Sequence, residues 1–322
     1  MDNRIKLYCW LISLLDRKHL TFQEIADEWT EASCNPFREE LCLRTFHRHR
    51  EAIRSQFGIS IECNKNDGYR YYIKEHELGS NDVTEWMLSS MRLTALGDML
   101  KYHNKVMLDT PPYNSEYLDD ILRAIDRQYL LQFKYVTPYG VVSEMALVPA
   151  FVRYYKQRWY VIGVKIADPE STRCIPEDCK SHVRCLSFDR INYLKVIGKR
   201  YPLPAKAKKF LIPENYYADC YGIMRMEEEP PELIRIRAFY PEYNYIEEVP
   251  LHASQELVKT SEDKTYREYE LKVRPSRDFQ QELLWHGRNI VVLKPESLRL
   301  KIIGILKDMA QSYKTGECMN EE

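Results

Sequence analysis

The chain of 322 residues has no run of 18 apolar residues, the length that a membrane-spanning helix needs. Glycine is scarce, at 11 residues, and neither a glycine-rich phosphate loop nor a Gly-x-Ser-x-Gly motif is present. The eight histidines do not cluster with acidic residues at metal-site spacings. From these absences we predict that the protein has no membrane partner and is not an enzyme. Its predicted function is therefore to bind another molecule.

Cysteine is present in an odd number, nine, and is scattered along the chain, as expected for the reduced thiols of a cytoplasmic protein. The first residues are charged and lack the layout of a signal peptide. Four zinc-type residues lie close together: Cys174, Cys179, His182 and Cys185. Their spacings of five, three and three residues do not match a zinc finger or ribbon. We therefore predict no metal, no cofactor and a surface loop over residues 168–180.

Charge of one sign is concentrated in the middle of the chain, although the net charge is only −1. Residues 129–210 hold 15 basic and 6 acidic residues, a net charge of +9. Residues 211–322 hold 15 basic and 21 acidic residues, a net charge of −6. The basic block indicates an anionic partner. The alternative is that it docks on the acidic C-terminal block, within the chain or across a dimer.

The N-terminal residues have the pattern of three helices and a hairpin. Apolar residues recur at helical spacing over residues 4–15, and Thr21 with Glu24 forms a capping box for a second helix. A third helix is predicted over residues 43–57, with Gly58 as its C-cap. Residues 66–68 are a hairpin turn signal. This order predicts a winged helix-turn-helix over residues 1–78.

The third helix carries the candidate DNA contacts. Its outward face is rich in arginine, and arginine suits the O6 and N7 atoms of guanine in the major groove. A solvated basic face is the alternative. Because residues 1–75 are neutral overall, a dimer is needed for useful affinity. The predicted contacts are Arg44, Thr45, His47, Arg48, Arg50, Arg54 and Tyr69.

A helical region separates this unit from a group of strands. Residues 81–107 carry a methionine-rich stripe at steps of four, which predicts an interdomain or dimer helix. A shorter helix is predicted from Tyr117 through Ile125. Residues 79–128 are thus assigned to a linker or dimerisation region, and strands are predicted from Tyr129 onwards.

Two basic segments have the composition of strands, residues 158–163 and residues 187–191. In the first, Arg158 and Tyr160 share one face, while Trp159 and Val161 share the other. A sheet that buries Trp159 and exposes Arg158 and Tyr160 suits the binding of an anion or a nucleic acid. The alternative is an edge strand with a solvated basic face.

These residues resemble one family of transcriptional regulators. The segment Leu41-Cys42-Leu43-Arg44-Thr45-Phe46-His47-Arg48, with Gly68-Tyr69 in the hairpin, is similar to the winged helix of WYL-domain regulators. The family has a serine where Cys42 stands, and it often has an acidic and an aliphatic residue where His49 and Arg50 stand. Basic residues at both positions are expected to increase phosphate contact.

The middle region resembles the WYL domain itself, a small five-stranded Sm-like sheet or barrel. The resemblance rests on an ordered set of segments, and Val161 replaces the family's leucine, a conservative change. The domain is assigned to residues 129–205. The segments are Phe133-Lys134-Tyr135, Val148-Pro149, Arg158-Trp159-Tyr160 and Phe188-Asp189-Arg190-Ile191.

The resemblance implies that this domain senses a nucleotide or a nucleic-acid fragment. Guanidinium groups suit phosphate, and tyrosine offers a stacking face. Arg190 has a structural alternative, because it can pair with Asp189 or another carboxylate. The implied ligand contacts are Arg153, Arg158, Tyr160, Arg184 and Arg190, with Lys134 and Lys156 as second-rank contacts.

The C-terminal residues 228–316 resemble the WCX extension that follows WYL domains, and this resemblance implies a ferredoxin-like α+β unit that assists dimerisation. Strands are predicted at residues 234–239, 266–273 and 289–293, with helices from Phe279 and Pro295. The matching pieces are His286-Gly287, Val292-Leu293, Pro295 and Leu298-Arg299.

The predicted protein is therefore a multi-domain α+β regulator: cytoplasmic, homodimeric and ligand-responsive. It binds an inverted repeat in double-stranded DNA, and a repressor is favoured over an activator. The resemblance also implies a context of phage defence or DNA damage. The alternative is an accessory or defence protein that captures single-stranded nucleic acid through the basic sheet.

Overall fold

The computed structural model describes residues 3–16, 18–32, 35, 37–73, 114–169 and 175–318. The chain divides into two compact units, Met1–Asp109 and Thr110–Glu322, which are described in turn. The predicted helix at residues 81–107 and most of the predicted linker lie outside the described residues.

The first unit is built of three helices and one hairpin, as the local signals predict. The Thr21 side chain accepts from the backbone of Glu24, whose carboxylate accepts from the Thr21 N–H, which completes the capping box. Gly58 ends the third helix in the left-handed region, at φ 70°. The elements are α1 (Asn3–Leu15), α2 (Phe22–Thr30), α3 (Leu43–Phe57), β1 (Ile61–Asn64) and β2 (Arg70–Ile73).

The core of this unit joins all of these elements. Leu11 and Ile12 of α1 are fully buried with Phe46 and Ile53 of α3. Tyr71 of β2 packs edge-on against Phe46, with ring centroids 4.8 Å apart. The hairpin is thereby held against α3, the arrangement of a winged helix-turn-helix.

The second unit begins with a helix and a five-stranded antiparallel sheet. The strand order is β6-β5-β4-β3-β7, so the two edge strands are consecutive in the chain. The predicted helix from Tyr117 and the strands from Tyr129 are present. The elements are α4 (Tyr117–Arg127), β3 (Tyr129–Val136), β4 (Val142–Tyr155), β5 (Arg158–Ile166), β6 (Val183–Ser187) and β7 (Ile191–Arg200).

Both faces of this sheet are covered over much of its area. One face packs against Ile121 and Ala124 of α4. The other packs against Ala207 and Tyr216, from the two short helices α5 (Ala205–Phe210) and α6 (Pro213–Tyr217). Strands β4 and β5 approach so closely at Gly163 that a Cβ there would overlap the carbonyl oxygen of Val148.

The segment at residues 187–191 is not a continuous strand, and this prediction is wrong. Phe188–Arg190 forms a single 3-10 turn between the end of β6 and the start of β7. The reason is topological, because the chain must leave one edge of the sheet and enter the opposite edge. A three-residue connection requires those edges to meet at this corner, as they do in a small barrel.

The chain continues into a four-stranded antiparallel sheet with the order β11-β8-β10-β9. Two βαβ halves and this order give a ferredoxin-like unit, as expected. Helix α7 and strand β9 are not predicted from the sequence. Every residue of β9 is exposed, so the strand has no alternation of apolar and polar residues. The elements are β8 (Glu232–Phe239), α7 (Glu242–Glu248), β9 (Glu256–Thr260), β10 (Tyr266–Val273), α8 (Arg277–Trp285), β11 (Ile290–Lys294) and α9 (Glu296–Thr315).

Among the residues that the structure describes, every helix is too short or too polar to cross a membrane.

Candidate nucleic-acid interface

The outward face of α3 presents arginine side chains to solvent. Arg44 and Arg48 are exposed on the side opposite to the buried Phe46 and Ile53, and the exposed Arg54 flanks that side. Within the described ranges the side chains of these three arginines make no hydrogen bond or ion pair. Arg44 and Arg48 are four residues apart and therefore lie one above the other on the helix. Their donors are available to an external acceptor.

The other predicted contacts of α3 are more varied. His47 is exposed, and its Nδ1 lies 3.2 Å from Nη1 of Arg50. Thr45 is half-buried, and its Oγ1 lies 3.1 Å from Sγ of Cys42. Cys42 is the N-cap of α3 and makes no side-chain capping bond. The helix therefore starts where the resemblance places it, without the usual serine cap.

Arg50 connects α3 to the hairpin. Its Nε and Nη2 donate to the carbonyl oxygen of Ile61, at 3.2 and 2.6 Å. Its guanidinium carbon lies 5.1 Å from the ring centroid of Tyr71. Arg50 is thus engaged inside the unit, unlike Arg48.

His49 does not face outward, and the expectation that it adds phosphate contact is wrong. Its side chain belongs to the core, with 6% of the residue exposed. Nδ1 lies 3.4 Å from the hydroxyl of Tyr8 in α1. Burial holds the pKa of His49 below its ordinary value, and the nearby Arg48 lowers the pKa further. The neutral ring is part of the packing between α1 and α3.

The hairpin turn presents Tyr69 to solvent. Asn64 caps the turn by accepting from the Asn66 N–H at 3.0 Å, and Gly68 is left-handed at φ 64°. Tyr69 is also left-handed, at φ 58°, and is exposed. The next residue, Arg70, binds the carboxylate of Glu24 at 3.1 Å and so anchors the strand.

In the second unit, the structure does not bring the seven predicted ligand contacts together on one open surface. Arg158, at the start of β5, is half-exposed, and its Nη1 lies 3.8 Å from Oδ2 of Asp189. Tyr160 is half-buried and packs against the cluster under α5 and α6. Burial raises the pKa of its hydroxyl. Tyr160 and Trp159 lie on opposite faces of the sheet, as predicted. The face that carries Tyr160 is covered by the cluster under α5 and α6.

Arg153 lies directly across the ladder from Tyr160 and is held by aromatic rings. Its guanidinium carbon is 3.9 Å from the ring centroid of Tyr217, and Nη1 is buried with no hydrogen-bond partner among the described residues. Cys185 contacts the Tyr217 hydroxyl, and burial raises the pKa of its thiol to about 12. Arg153 therefore serves the packing of α6 on the sheet.

The remaining basic residues have different surroundings. Lys156, in the β4–β5 turn, lies 3.5 Å from Glu282 of α8 and so connects the two sheets of this unit. Arg184 donates to the carbonyl oxygens of Ser181 and Val183. Within the described part of the chain Arg190 makes no ion pair, and Asp189 pairs with Arg158 instead.

Two of the seven line open grooves of the described residues. Arg184 borders one of about 400 Å³ together with acidic residues such as Glu227, and Lys134 borders another of about 520 Å³. Lys165, Tyr193 and Lys195 also line it. These three residues are not among the predicted contacts, because a single exposed tyrosine or lysine in a strand has no distinguishing sequence pattern.

Among the described residues, no group of three or more His, Cys, Asp or Glu is placed to hold a metal ion. Cys174 of the four-residue group lies outside the described residues. Cys179 is buried, in the loop that precedes β6.

The fold is that of a modular α+β protein: a winged helix-turn-helix unit, a five-stranded barrel-like sheet and a ferredoxin-like unit. Comparison with known families identifies the last two parts. Residues 116–196 match the WYL domain family, and residues 230–310 match the WCX domain family. The chain is therefore a WYL-domain protein with a WCX domain, and the first match begins at α4.

Solved structures give more distant likenesses. Proteasome accessory factor B/C of Arthrobacter aurescens is 15% identical, with a TM-score of 0.39, over 100% of this chain and 49% of that chain. A CRISPR Cas-related protein is 9% identical, with a TM-score of 0.38, over 97% of this chain and 83% of that chain. The present chain thus spans about half the length of the first of these. No curated protein matches the chain.

Proposed function

We propose that this protein is a transcriptional regulator that binds duplex DNA through α3 and senses an anionic effector through its WYL domain. The observation that carries the proposal is a pair of exposed arginines one turn apart, Arg44 and Arg48, flanked by Arg54, on a helix supported by a hairpin; none of the three side chains has an ion-pair partner among the described residues. A helix held in this way fits the major groove, and arginine donors match guanine.

Two copies of the chain are part of the proposal. Residues 1–75 are electrically neutral, so one unit gains little from non-specific attraction to phosphate. A homodimer places two α3 helices on half-sites about one helical turn apart, which predicts an inverted repeat as the operator. Sedimentation of the protein on a selected duplex tests this stoichiometry, and one chain per operator would contradict it.

The sensing role rests on the charge of the WYL region and on its family. Residues 129–210 carry a net charge of +9, which favours a nucleotide or nucleic-acid effector. The proposal involves binding equilibria and no catalytic step. For the effector to change operator affinity, it must bind one state of the dimer more tightly than another. Repression is the favoured sign of regulation.

The test begins with selection of duplexes from a random pool by the full-length protein. Arg48→Ala is then compared with Arg123→Ala, which removes an exposed arginine of α4 that pairs with Asp119. Loss of one bidentate contact to a base predicts about a 5- to 150-fold weaker affinity for the selected duplex. Arg123→Ala should bind like wild type.

Equal affinity of Arg48→Ala and wild type for the selected duplex would refute the role assigned to α3. Tighter binding of single strands than of every duplex would instead favour the accessory role in capturing single-stranded nucleic acid. Footprinting on the promoter of the protein's own gene then examines the regulatory role, and protection of an inverted repeat is the expected result.

A further inference from the structure

Arg50 is fixed in place by contacts within the first unit. Its Nε and Nη2 donate to the carbonyl oxygen of Ile61 in β1, at 3.2 and 2.6 Å, and its guanidinium lies over the ring of Tyr71. Its remaining nitrogen, Nη1, lies 3.2 Å from Nδ1 of His47, which is one turn earlier in α3. The hairpin therefore holds a guanidinium group against one edge of the His47 ring.

This contact determines which nitrogen of His47 carries the proton. A guanidinium group has five N–H donors and no acceptor. Nδ1 of His47 therefore accepts from Arg50, and the neutral ring carries its proton on Nε2. The Nδ1–H tautomer would place two N–H donors against each other. His47 is thus held as a hydrogen-bond donor at Nε2.

The donor at Nε2 is available to a partner outside the chain. His47 is exposed, and among the residues that the structure describes its Nε2 makes no hydrogen bond. Successive residues of an α-helix are rotated by about 100°, so His47 lies within about 60° of Arg44 on the outward side of α3. The same side of the helix carries Arg48. His47 therefore belongs to the surface that faces a bound duplex.

A single fixed donor distinguishes among the bases of the major groove. Guanine presents two acceptors there, O6 and N7, whereas cytosine presents only its N4 amino donor. Adenine and thymine each present one acceptor. An N–H group of His47 that faced cytosine would lose its contact with water and gain no acceptor. The donor at Nε2 therefore favours guanine most and rejects cytosine.

We propose that His47 reads a guanine of the operator through Nε2–H, and that Arg50 is a positioning residue that holds His47 in this tautomer. The inference rests on the proposed function, because it specifies a base that α3 recognises. Each of the three nitrogens of Arg50 already has an acceptor within the unit. Arg50 acts on DNA through His47 and the hairpin, and not as a phosphate contact of its own.

The tautomer is tested without DNA. The full chain, which has eight histidines, is labelled with ¹⁵N-histidine, and its ring nitrogens are observed by ¹⁵N–¹H correlation NMR at about pH 8, where an ordinary imidazole is neutral. His47→Gln assigns the signals. Wild type should show His47 protonated at Nε2 alone. Arg50→Met should allow the Nδ1–H tautomer to appear, and Arg54→Met, the matched control one turn later in α3, should not.

Base preference is tested on the duplex selected by wild type, varied one base pair at a time. At one position wild type should bind guanine at least about fivefold more tightly than cytosine. His47→Ala should remove the preference at that position only. His47→Gln should change it from guanine to adenine, because glutamine matches N6 and N7 of adenine. His182→Ala, at an exposed histidine of the second unit, is the matched control and should keep every preference.

The same duplexes distinguish positioning by Arg50 from general support of the fold. Arg50→Met should relax the preference at the position read by His47 and keep the preferences at all other positions. Arg54→Met should weaken binding and keep the guanine preference. An equal loss of preference at every position in Arg50→Met would assign Arg50 to support of the hairpin alone and overturn its positioning role.

Two further outcomes would overturn the inference. The first is a wild-type His47 ring protonated at Nδ1. The second is retention of every base preference by His47→Ala, which would show that His47 contacts a phosphate or nothing. In both cases wild type would still select a duplex, so the proposed function would stand. Failure of wild type to select any duplex would refute the proposed function itself.

Discussion

The carboxylate of Asp189 pairs with Arg158, and not with its neighbour in the chain, Arg190. Oδ2 lies 3.8 Å from Nη1 of Arg158. The pair connects the 3-10 turn after β6 to the first residue of β5, at the corner where the two edges of the barrel meet. Arg158 thus has a structural contact of its own.

Arg158→Ala should have a small effect on stability. The Arg158 side chain is 52% exposed, and an ion pair of this exposure contributes about 0–1 kcal/mol. We expect the free energy of unfolding in urea to fall by no more than about 1 kcal/mol. A loss several times larger would show that the corner depends on this pair.

Arg225 is the opposite case, and its removal should be more costly. Its side chain is 8% exposed and donates to Asp219 and Glu227 and to the carbonyl oxygen of Tyr216, each at 2.6 Å. Arg225→Met leaves two carboxylates without this partner in the segment that joins the WYL and WCX sheets. Asp219 keeps its pair with Arg274 at 3.0 Å and the Glu227 side chain is 37% exposed, so a loss of about 1–3 kcal/mol is expected from urea unfolding.

The matched variant for Arg225→Met is Arg123→Met. Arg123 is exposed and pairs with Asp119 on the same turn of α4. Its replacement should change the free energy of unfolding by at most about 0.5 kcal/mol. If Arg225→Met and Arg123→Met lowered the free energy of unfolding by similar amounts, the ion pairs of Arg225 would not be a major source of stability.

The contrast between Arg48 and Arg158 explains what sequence could and could not predict. The ends of α2 and α3 and the hairpin are specified by local signals, such as the Thr21 capping box and Gly58, and these were predicted correctly. The exposed face of α3 follows from helical periodicity alone. Fold class and the WYL and WCX domains follow from patterns and ordered segments of the same kind.

The sites within the WYL sheet depend on contacts between distant parts of the chain. Arg153 is covered by Tyr217, 64 positions later, and no strand pattern reveals that α6 lies on that face. Tyr193 is exposed because of a bulge, which is set by the register between β3 and β7. The alternation of residues along β5 therefore predicts correctly which side chains share a face of the sheet. It does not show which face is covered by other parts of the chain.

Acid should destabilise the first unit through His49. Burial lowers the pKa of His49 in the folded state, so the unfolded chain binds the proton more readily. Stability contributed by the neutral ring is fully present above the unfolded value of 6.5 and is lost as pH falls from there towards the lowered folded value. Hydrogen exchange in α1 and α3 should accelerate over that range.

His49→Gln provides the comparison, because glutamine does not titrate. Its α1 and α3 peptides should show a weaker acceleration of exchange between neutral pH and the acid side of pH 6.5. The same dependence on pH in wild type and His49→Gln would assign the effect to another group.

The cysteines should differ in their reactivity with iodoacetamide. The hydrogen bond from the Thr45 hydroxyl lowers the pKa of Cys42, which is exposed, whereas burial raises the pKa of Cys185 to about 12. Since the thiolate is the nucleophile, Cys42 should be modified well before Cys185 at neutral pH. Peptide mass spectrometry measures both rates, and Thr45→Ala should slow the modification of Cys42.

Cys42→Ser should stabilise the DNA-binding unit. Cys42 occupies the N-cap of α3 in an extended conformation, φ −88° and ψ 152°, which suits a side chain that accepts from the Thr45 N–H. A serine hydroxyl is a stronger acceptor than a thiol, so we expect a gain of about 0.5–1 kcal/mol in the free energy of unfolding. Slower hydrogen exchange in the first turn of α3 would accompany it. Cys42→Ala, which cannot cap, should give no such gain, and equal stability of the two variants would show that the start of α3 is set by packing alone.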